Sequence, residues 1–247
     1  MPETLEATRR VLIVLPALNE ENNVSAVVAK VRTALPDAGV LVVDDGSTDN
    51  TSTVARAAGA EVARLAVNLG VGGAMRTGYR YAKARGYNVV VQVDADGQHD
   101  PEELAALLAG LDDADLVIGS RFAGRGSYKA SGPRRWAMVA LSMVFSRLAR
   151  TKLTDVTSGF KAAGPRAVTL FARNYPAEYL GDTVESLVMA LRAGLKVKEI
   201  PVVMLERMSG QPSASPYKAA VYLSRAGLAL LLALVRRRPA ADQSDSA

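Results

Sequence analysis

The 247-residue chain has no cysteine and a single histidine, His99. The first absence excludes disulfide staples, thiolate metal sites and a cysteine nucleophile. The second leaves no room for a histidine-rich metal site or a triad built on imidazole. Aromatic residues make up only 5% and are not interleaved with the arginines, which argues against a stacking surface for nucleic acid. Long apolar runs are missing too: Ala226–Val235 is the longest, ten residues against the ~20 that cross a bilayer. Met1 to Thr8 is polar and acidic rather than charged-then-apolar, so no secretory signal is read and a cytoplasmic location is expected.

What is present is a globular composition, 49% hydrophobic and 22% charged, of a length that suits one large domain or one domain with an appendage. The net charge of +5 hides a division. Residues 1–120 carry 17 acidic and 10 basic side chains, whereas residues 121–247 carry 8 acidic and 20 basic. Two stretches hold no acid at all: Leu116–Thr154 with eight Arg/Lys, and Arg207–Ala241 with six. Such segregation points to an anionic partner on one side, the plainer reading being a solvated basic face.

Short apolar runs alternate with helical patterns in the first half. Strands are expected at Val11–Pro16, Val40–Val43, Glu61–Leu65, Asn88–Val93 and Asp115–Gly119. Helices are expected at Glu20–Leu35, Asp49–Ala58 with Asp49 as N-cap, Gly73–Arg85, and Pro101–Leu111 with Asp100 as N-cap. This order predicts an α/β fold with a mostly parallel sheet, its ligands outside the carboxyl ends of the strands. The second half is less regular: a Gly/Ser/Lys loop at Gly124–Gly132, a helix at Arg134–Arg150, a strand at Ser158–Ala163, a helix at Thr183–Ala193, a strand at Val197–Leu205 and a last helix at Tyr217–Arg238.

The polar clusters of the acidic half follow strands: Asn19–Glu20, Asp44–Asp45, Asn68 and Asp94–Asp96. In Val93-Asp94-Ala95-Asp96-Gly97-Gln98-His99, Asp94, Asp96 and Gln98 place oxygens at i, i+2 and i+4 of a turn. Mg²⁺ is commonly held by one or two carboxylates plus phosphate oxygens, so these three are candidate ligands. An Asx-rich turn capping the next helix is the competing reading, but Asp100 already fills that role. His99 is read as a loop residue, because oxygen and not imidazole suits Mg²⁺. An aspartyl phosphatase would need a downstream lysine followed by an acidic pair, which neither Lys129 nor Lys161 provides. Asn68-Leu-Gly-Val-Gly-Gly-Ala is not a dinucleotide fingerprint, since Met75 stands where the third glycine belongs.

Pro16-Ala17-Leu18-Asn19-Glu20-Glu21, Val43-Asp44-Asp45-Gly46-Ser47-Thr48-Asp49, Asn68-Leu69-Gly70 and Asp94-Ala95-Asp96 resemble, in order and spacing, the motifs of glycosyltransferase family 2. Gly119-Ser120-Arg121 and Asp155-Val156-Thr157-Ser158-Gly159-Phe160-Lys161 extend the likeness to enzymes similar to dolichol- or polyprenol-phosphate mannose synthase, over about residues 10–215. The resemblance implies a GT-A fold, a nucleotide-diphosphate sugar such as GDP-mannose or UDP-glucose, and Mg²⁺ or Mn²⁺. It also implies that Pro16, Asn19, Glu20, Asp44 and Asp45 hold base and ribose, with Asp94, Ala95 and Arg76 toward the nucleotide sugar and Asp94, Asp96 and Gln98 on the metal.

The basic half lacks a compelling general base, Asp182 being the one acid at a plausible position. A phosphate acceptor removes the need, because a phosphomonoester with second pKa near 6 is largely dianionic at pH 7. Arginine grips phosphate in a bidentate fashion, which makes Arg121, Arg134 (or its neighbour Arg135) and Arg207 acceptor-phosphate candidates, with Ser131 and Lys161 beside them. Asp94, Asp96 and Arg121 carry catalysis in this reading. The family's Arg…Gly-x-Ser signal appears as Arg207-Met-Ser-Gly210-Gln-Pro-Ser213, with an added proline.

The expected function is inverting transfer of mannose or glucose to a polyprenyl phosphate by a protein peripheral to the inner membrane face. Arg236-Arg237-Arg238 after the apolar run suits anionic headgroups, and Trp136–Phe145 is a second contact. The same helices also suit a core, an oligomer interface or a membrane-protein partner. The expected division is a catalytic domain at 1–215 (nucleotide-sugar half 10–120, acceptor half 121–215), an interfacial helix at 216–238 and a disordered tail at 239–247. A hydroxyl acceptor with Asp182 as base, and a non-catalytic membrane binder, are the alternatives; no nucleic-acid partner is expected.

Overall fold

β-Branched runs buried on both faces make strands, and amphipathic segments between them make the covering layers. A computed structural model describes residues 9–121, 142–176 and 182–205. It contains one sheet of seven strands: β1 (Val11–Ala17), β2 (Gly39–Asp44), β3 (Glu61–Arg64), β4 (Val89–Gln92), β5 (Leu116–Ser120), β6 (Lys161–Ala163) and β7 (Val197–Pro201). Their spatial order is β3-β2-β1-β4-β6-β5-β7. Neighbours are parallel except at β6, which runs antiparallel to both β4 and β5. The mostly parallel sheet expected from the alternation is present, with one reversed strand.

The helices are α1 (Val24–Ala34), α2 (Thr51–Ala57), α3 (Gly70–Ala84), α4 (Leu104–Gly110), α5 (142–149), α6 (Pro165–Asn174) and α7 (Asp182–Arg192). Alternate residues of β1 feed two cores. Leu12 and Val14 pack with α3, α6, α7 and Phe145 of α5, whereas Ile13 and Leu15 pack with α1, α2 and α4. Tyr79 of α3 stacks obliquely on Phe171 and Tyr175, at 5.1 and 5.0 Å between ring centroids, and so ties α3 to the helix that follows the reversed strand.

Several boundaries differ from the sequence expectation, each for a local reason. α1 begins at Val24 rather than Glu20, because residues 19–21 are drawn into hydrogen bonds with Ser47, Thr51 and Asp49 of the segment after β2. α3 begins at Gly70, three residues early, its glycines forming the first helical turn. Asn50 occupies the N-cap of α2 without a side-chain bond, while Asp49 accepts from the Thr51 N–H and hydroxyl and so does the capping from one residue upstream. Asp100 caps as expected, accepting from the Glu102 N–H, but Pro101–Glu103 is a 3-10 turn leading into α4. β6 is shorter than Ser158–Ala163, because Asp155–Ser158 closes as a turn.

Among the described residues no helix is long and apolar enough to cross a membrane. The expected helix at 216–238, the tail at 239–247 and the whole Gly124–Gly132 loop lie outside the described residues.

Candidate active site

The parallel strands deliver their carboxyl ends to one edge of the sheet. The reversed β6 delivers its beginning to that same edge, with Lys161 in register with Gln92 of β4 and Ile118 of β5. Residues 16–20, 44–49, 94–99, 120–121 and 155–160 are therefore neighbours there.

Proline is unusual in a central strand because it removes a ladder donor. The Val14 carbonyl accepts the Val93 N–H on the β4 side, and backbone groups two residues further on point the same way. The donor that Pro16 lacks thus falls where pairing with β4 has ended. The opening between β1 and β4 is also where the strand order changes direction, the usual place for a ligand in such a sheet.

Beyond it, Asn19 takes a left-handed conformation (φ 55°), which asparagine tolerates. Its Oδ1 accepts the Thr48 N–H at 2.8 Å, and its own N–H donates to the Ser47 Oγ at 2.9 Å. The Glu20 N–H donates to Thr51 Oγ1, and the Glu20 carboxylate accepts from Asn23 Nδ2. Asp44 is fully buried, and its oxygens accept from the Ser47 N–H and the Ser52 hydroxyl, with Arg64 3.9 Å away. Burial raises its pKa, but the bonds from Ser47 and Ser52 and the charge of Arg64 outweigh this and leave it below the usual carboxylate value. Asp45 goes the other way. Burial, with the neighbouring Asp44, pushes its carboxyl up despite the N–H groups of Leu69 and Gly70, which it accepts at 2.7 Å each at the start of α3. In this arrangement Asp44 and Asp45 shape the loop and the helix beneath the opening. Arg76 is exposed on the second turn of α3.

At the end of β4 the turn of residues 94–99 depends on Gly97, whose φ of 80° favours glycine. Asp96 is buried and its Oδ1 accepts the Gln98 N–H at 3.0 Å; Ala95 is buried beside it. The Asp94 side chain is 38% exposed, and its Oδ1 accepts from Gln92 Nε2 at 3.1 Å. His99 Nδ1 accepts the Asp94 N–H at 2.9 Å, which places the ring proton on Nε2, and the imidazole stacks on Phe160 at 4.6 Å. His99 thus braces the turn from behind. The Gln98 side chain is exposed. No group of three His, Asp or Glu residues forms a metal cage among the described residues. The donor set, two carboxylates with a neighbouring amide oxygen, fits a hard divalent ion that takes its remaining ligands from phosphate and water.

At the end of β5, Arg121 does not simply project into the opening. Its Nε and Nη2 bind the two oxygens of Asp155 at 2.7 and 2.8 Å, and Nη2 also donates to Thr157 Oγ1 at 3.2 Å. Asp155 is completely buried and accepts the Arg121 backbone N–H as well. The sequence reading assigned Asp155 no role, although it is the acid that ends the acid-free stretch from Leu116 to Thr154. Behind it Glu199 of β7 accepts the N–H groups of Thr154 and Asp155 at 2.6 and 2.9 Å and the Thr154 hydroxyl. Glu199, too, was not singled out; only its place as an acid within an apolar strand marks it. Lys161 is buried and donates to the Thr183 carbonyl at 3.0 Å. Ser131, Arg134, Arg135 and Arg207 lie outside the described residues, as does the side chain of Asp182.

The chain belongs to glycosyl transferase family 2, whose model matches residues 12–171. It is a glycosyltransferase by that membership, with a GT-A-like fold. An undecaprenyl-phosphate mannosyltransferase of Micrococcus luteus is 35% identical over 232 residues, covering 89% of this chain and 95% of its own. A polyprenol monophosphomannose synthase of Mycolicibacterium smegmatis is 33% identical over 223 residues, covering 85% and 82%. Among solved structures, glucosyl-3-phosphoglycerate synthase of Mycobacterium tuberculosis with Mg²⁺ and uridine diphosphate superposes with a TM-score of 0.69 at 25% identity, covering 94% of this chain and 81% of that one.

Proposed function

We propose that this glycosyltransferase moves a hexose, with inversion, from a nucleotide-diphosphate sugar to a polyprenyl phosphate at a membrane surface. One observation carries the reading: the segment leading into the reversed β6 touches both halves of the site. A Cβ at Gly159 would lie 3.5 Å from Asp94 Oδ2, while four residues earlier Asp155 grips Arg121. A carboxylate turn suited to the leaving diphosphate and a guanidinium suited to an incoming phosphate therefore share one wall.

Asp94, Asp96 and Gln98 would hold Mg²⁺ or Mn²⁺, which when bound supplies Lewis-acid neutralisation of charge on the departing diphosphate. Pro16 and the Asn19–Glu20 loop border the crevice that takes the nucleotide, and Asp44 and Asp45 keep that loop and α3 in place. Arg121, held on one edge by Asp155, steers the acceptor phosphate, assisted by Arg134, Arg207 and Ser131. The acceptor is already ionised at neutral pH and is its own nucleophile, so no side chain need remove a proton from it.

The named activities of the Micrococcus and Mycolicibacterium relatives support the polyprenyl phosphate. A Methanococcus voltae relative, 28% identical over 216 residues, is a UDP-N-acetylglucosamine–dolichyl-phosphate N-acetylglucosaminyltransferase, so donors vary around a common type of acceptor. The ligands of the glucosyl-3-phosphoglycerate synthase structures support a divalent ion with the nucleotide. Membrane contact draws support from α5, where Met143, Val144 and Leu148 are exposed beside Arg147 and Arg150.

The test is incubation of radiolabelled GDP-mannose or UDP-glucose with a short polyprenyl phosphate and Mn²⁺, followed by extraction into organic solvent. Label in the organic phase with one of the donors is expected. Label only on a water-soluble sugar acceptor, lost in Asp182→Asn, would replace this reading with hydroxyl transfer.

A further inference from the structure

We infer that Glu199 is the positioning residue of the acceptor side, setting the Arg121 guanidinium through the backbone of Thr154 and Asp155; this rests on the reading of Arg121 as the acceptor-phosphate grip. Residues 153–155 belong to no strand or helix, yet Leu153 and Asp155 are buried, so their backbone groups need partners. Side chains supply them. Ser146 Oγ accepts the Leu153 N–H at 2.9 Å and Ser142 Oγ donates to the Thr154 carbonyl at 3.1 Å, both from α5. Glu199 takes the N–H groups of Thr154 and Asp155 from the opposite side.

Three donors, two N–H and one hydroxyl, converge on the two oxygens of Glu199. A carboxylate accepts on both atoms; an amide would turn an NH₂ toward a donor. The Thr154 proton goes to Glu199, so in its 2.9 Å contact with Thr154 Oγ1 it is Ser120 that donates. Ser120 immediately precedes Arg121. Glu199 thus reaches Arg121 by two routes: through the Asp155 N–H to the carboxylate that clasps the guanidinium, and through Thr154 to the residue before it. In the ladder Glu199 stands opposite Ile118, two residues before Ser120, so β7 places its carboxylate beside the end of β5.

The experiment measures KM for polyprenyl phosphate and for the nucleotide sugar, with kcat, in wild type, Glu199→Gln, Arg121→Gln and the double variant. Glu199→Gln is expected to raise the acceptor KM about tenfold, the scale of a lost charge-assisted hydrogen bond, and to leave the donor KM within about twofold. In the Arg121→Gln background it adds little, because the two changes act on one network. Glu199→Asp, which keeps both acceptor oxygens, recovers part of the loss. If Glu199→Gln fails to fold, Thr154→Val interrupts the hydroxyl route alone and raises the acceptor KM about threefold. A melting temperature that falls with both KM values unchanged, or fully additive effects in the double variant, overturns the inference. The reading of Arg121 fails separately, if Arg121→Gln leaves the acceptor KM alone and changes the donor's; the inference on Glu199 then holds only if Glu199→Gln moves that same constant.

Discussion

Arg121 and Asp155, 34 residues apart in the chain, form a two-pronged ion pair in which the carboxylate has no solvent exposure and the arginine side chain 23%. The pair joins the end of β5 to the turn before the reversed β6, and it fixes which edge of the guanidinium is committed inward. An arginine so held has lost most of its rotamer freedom before any ligand arrives, which lowers the cost of binding.

The arrangement makes Arg121 a stability residue, apart from the acceptor-binding role proposed for it. Removing the cation strands a buried carboxylate, a loss of roughly 3–5 kcal/mol in comparable pairs. Arg121→Ala is therefore expected to lower the urea midpoint substantially, and Arg121→Lys to lower it less. An unchanged midpoint in Arg121→Ala would mean that the pair contributes nothing to folding.

Asp96→Asn is expected to cut turnover by about 100-fold or more, on the reading that it holds the ion which neutralises the leaving diphosphate. The matching physical measurement is Mn²⁺ binding by electron paramagnetic resonance with nucleoside diphosphate present, which should weaken in parallel. Full Mn²⁺ affinity in the variant would remove Asp96 from the ion.

Gly159→Ala puts a methyl 2.9 Å from Gln92 Nε2 and 3.5 Å from Asp94 Oδ2. The Gln92 amide that supports Asp94 must move, and if Asp94 holds the ion as proposed, disturbing such a supporting bond weakens metal affinity about tenfold or more. The expected outcome is a higher Mn²⁺ requirement with only a small change in melting temperature. A normal Mn²⁺ requirement would show that Gln92 does not orient Asp94.

Acid sensitivity separates the two adjacent aspartates. Asp44 has its pKa depressed below 3.8, so its contribution is present above 3.8 and is lost as the pH falls through the lower folded value. Asp45 has its pKa raised above 3.8, so its ionised form costs stability at neutral pH, and that cost fades as the pH falls toward 3.8. Melting curves from pH 7 to 3 should show the gap between wild type and Asp45→Asn shifting in favour of wild type on the way down to 3.8. The gap to Asp44→Asn should hold steady to that point and shrink below it. The same pH profile for both variants would contradict the opposite directions.

The legible part of the fold was the part written in local patterns. The apolar runs of β1, β2 and β4, the Asp100–Pro101 cap and the acids placed just after strands could be read directly, because strand burial and capping act over a few residues. The direction of β6 was not legible, since three residues, Lys161–Ala163, carry no sign of which way they run. The Asp155 and Glu199 partnerships were hidden for another reason: they join residues 34 and 44 apart, and only the sheet order brings them together. The place of His99 behind the turn, stacked on Phe160, could not be foreseen from spacing.

If, as proposed, the acceptor phosphate is its own nucleophile, this site needs cations and not a base. The most direct measurement compares a polyprenyl phosphate with the free polyprenol of equal length, under the same donor, Mn²⁺ and detergent, and counts label in the organic phase. Transfer to the phosphate with none to the alcohol is the predicted result. Comparable transfer to the alcohol would contradict it, because a neutral hydroxyl reacts only where some group takes its proton.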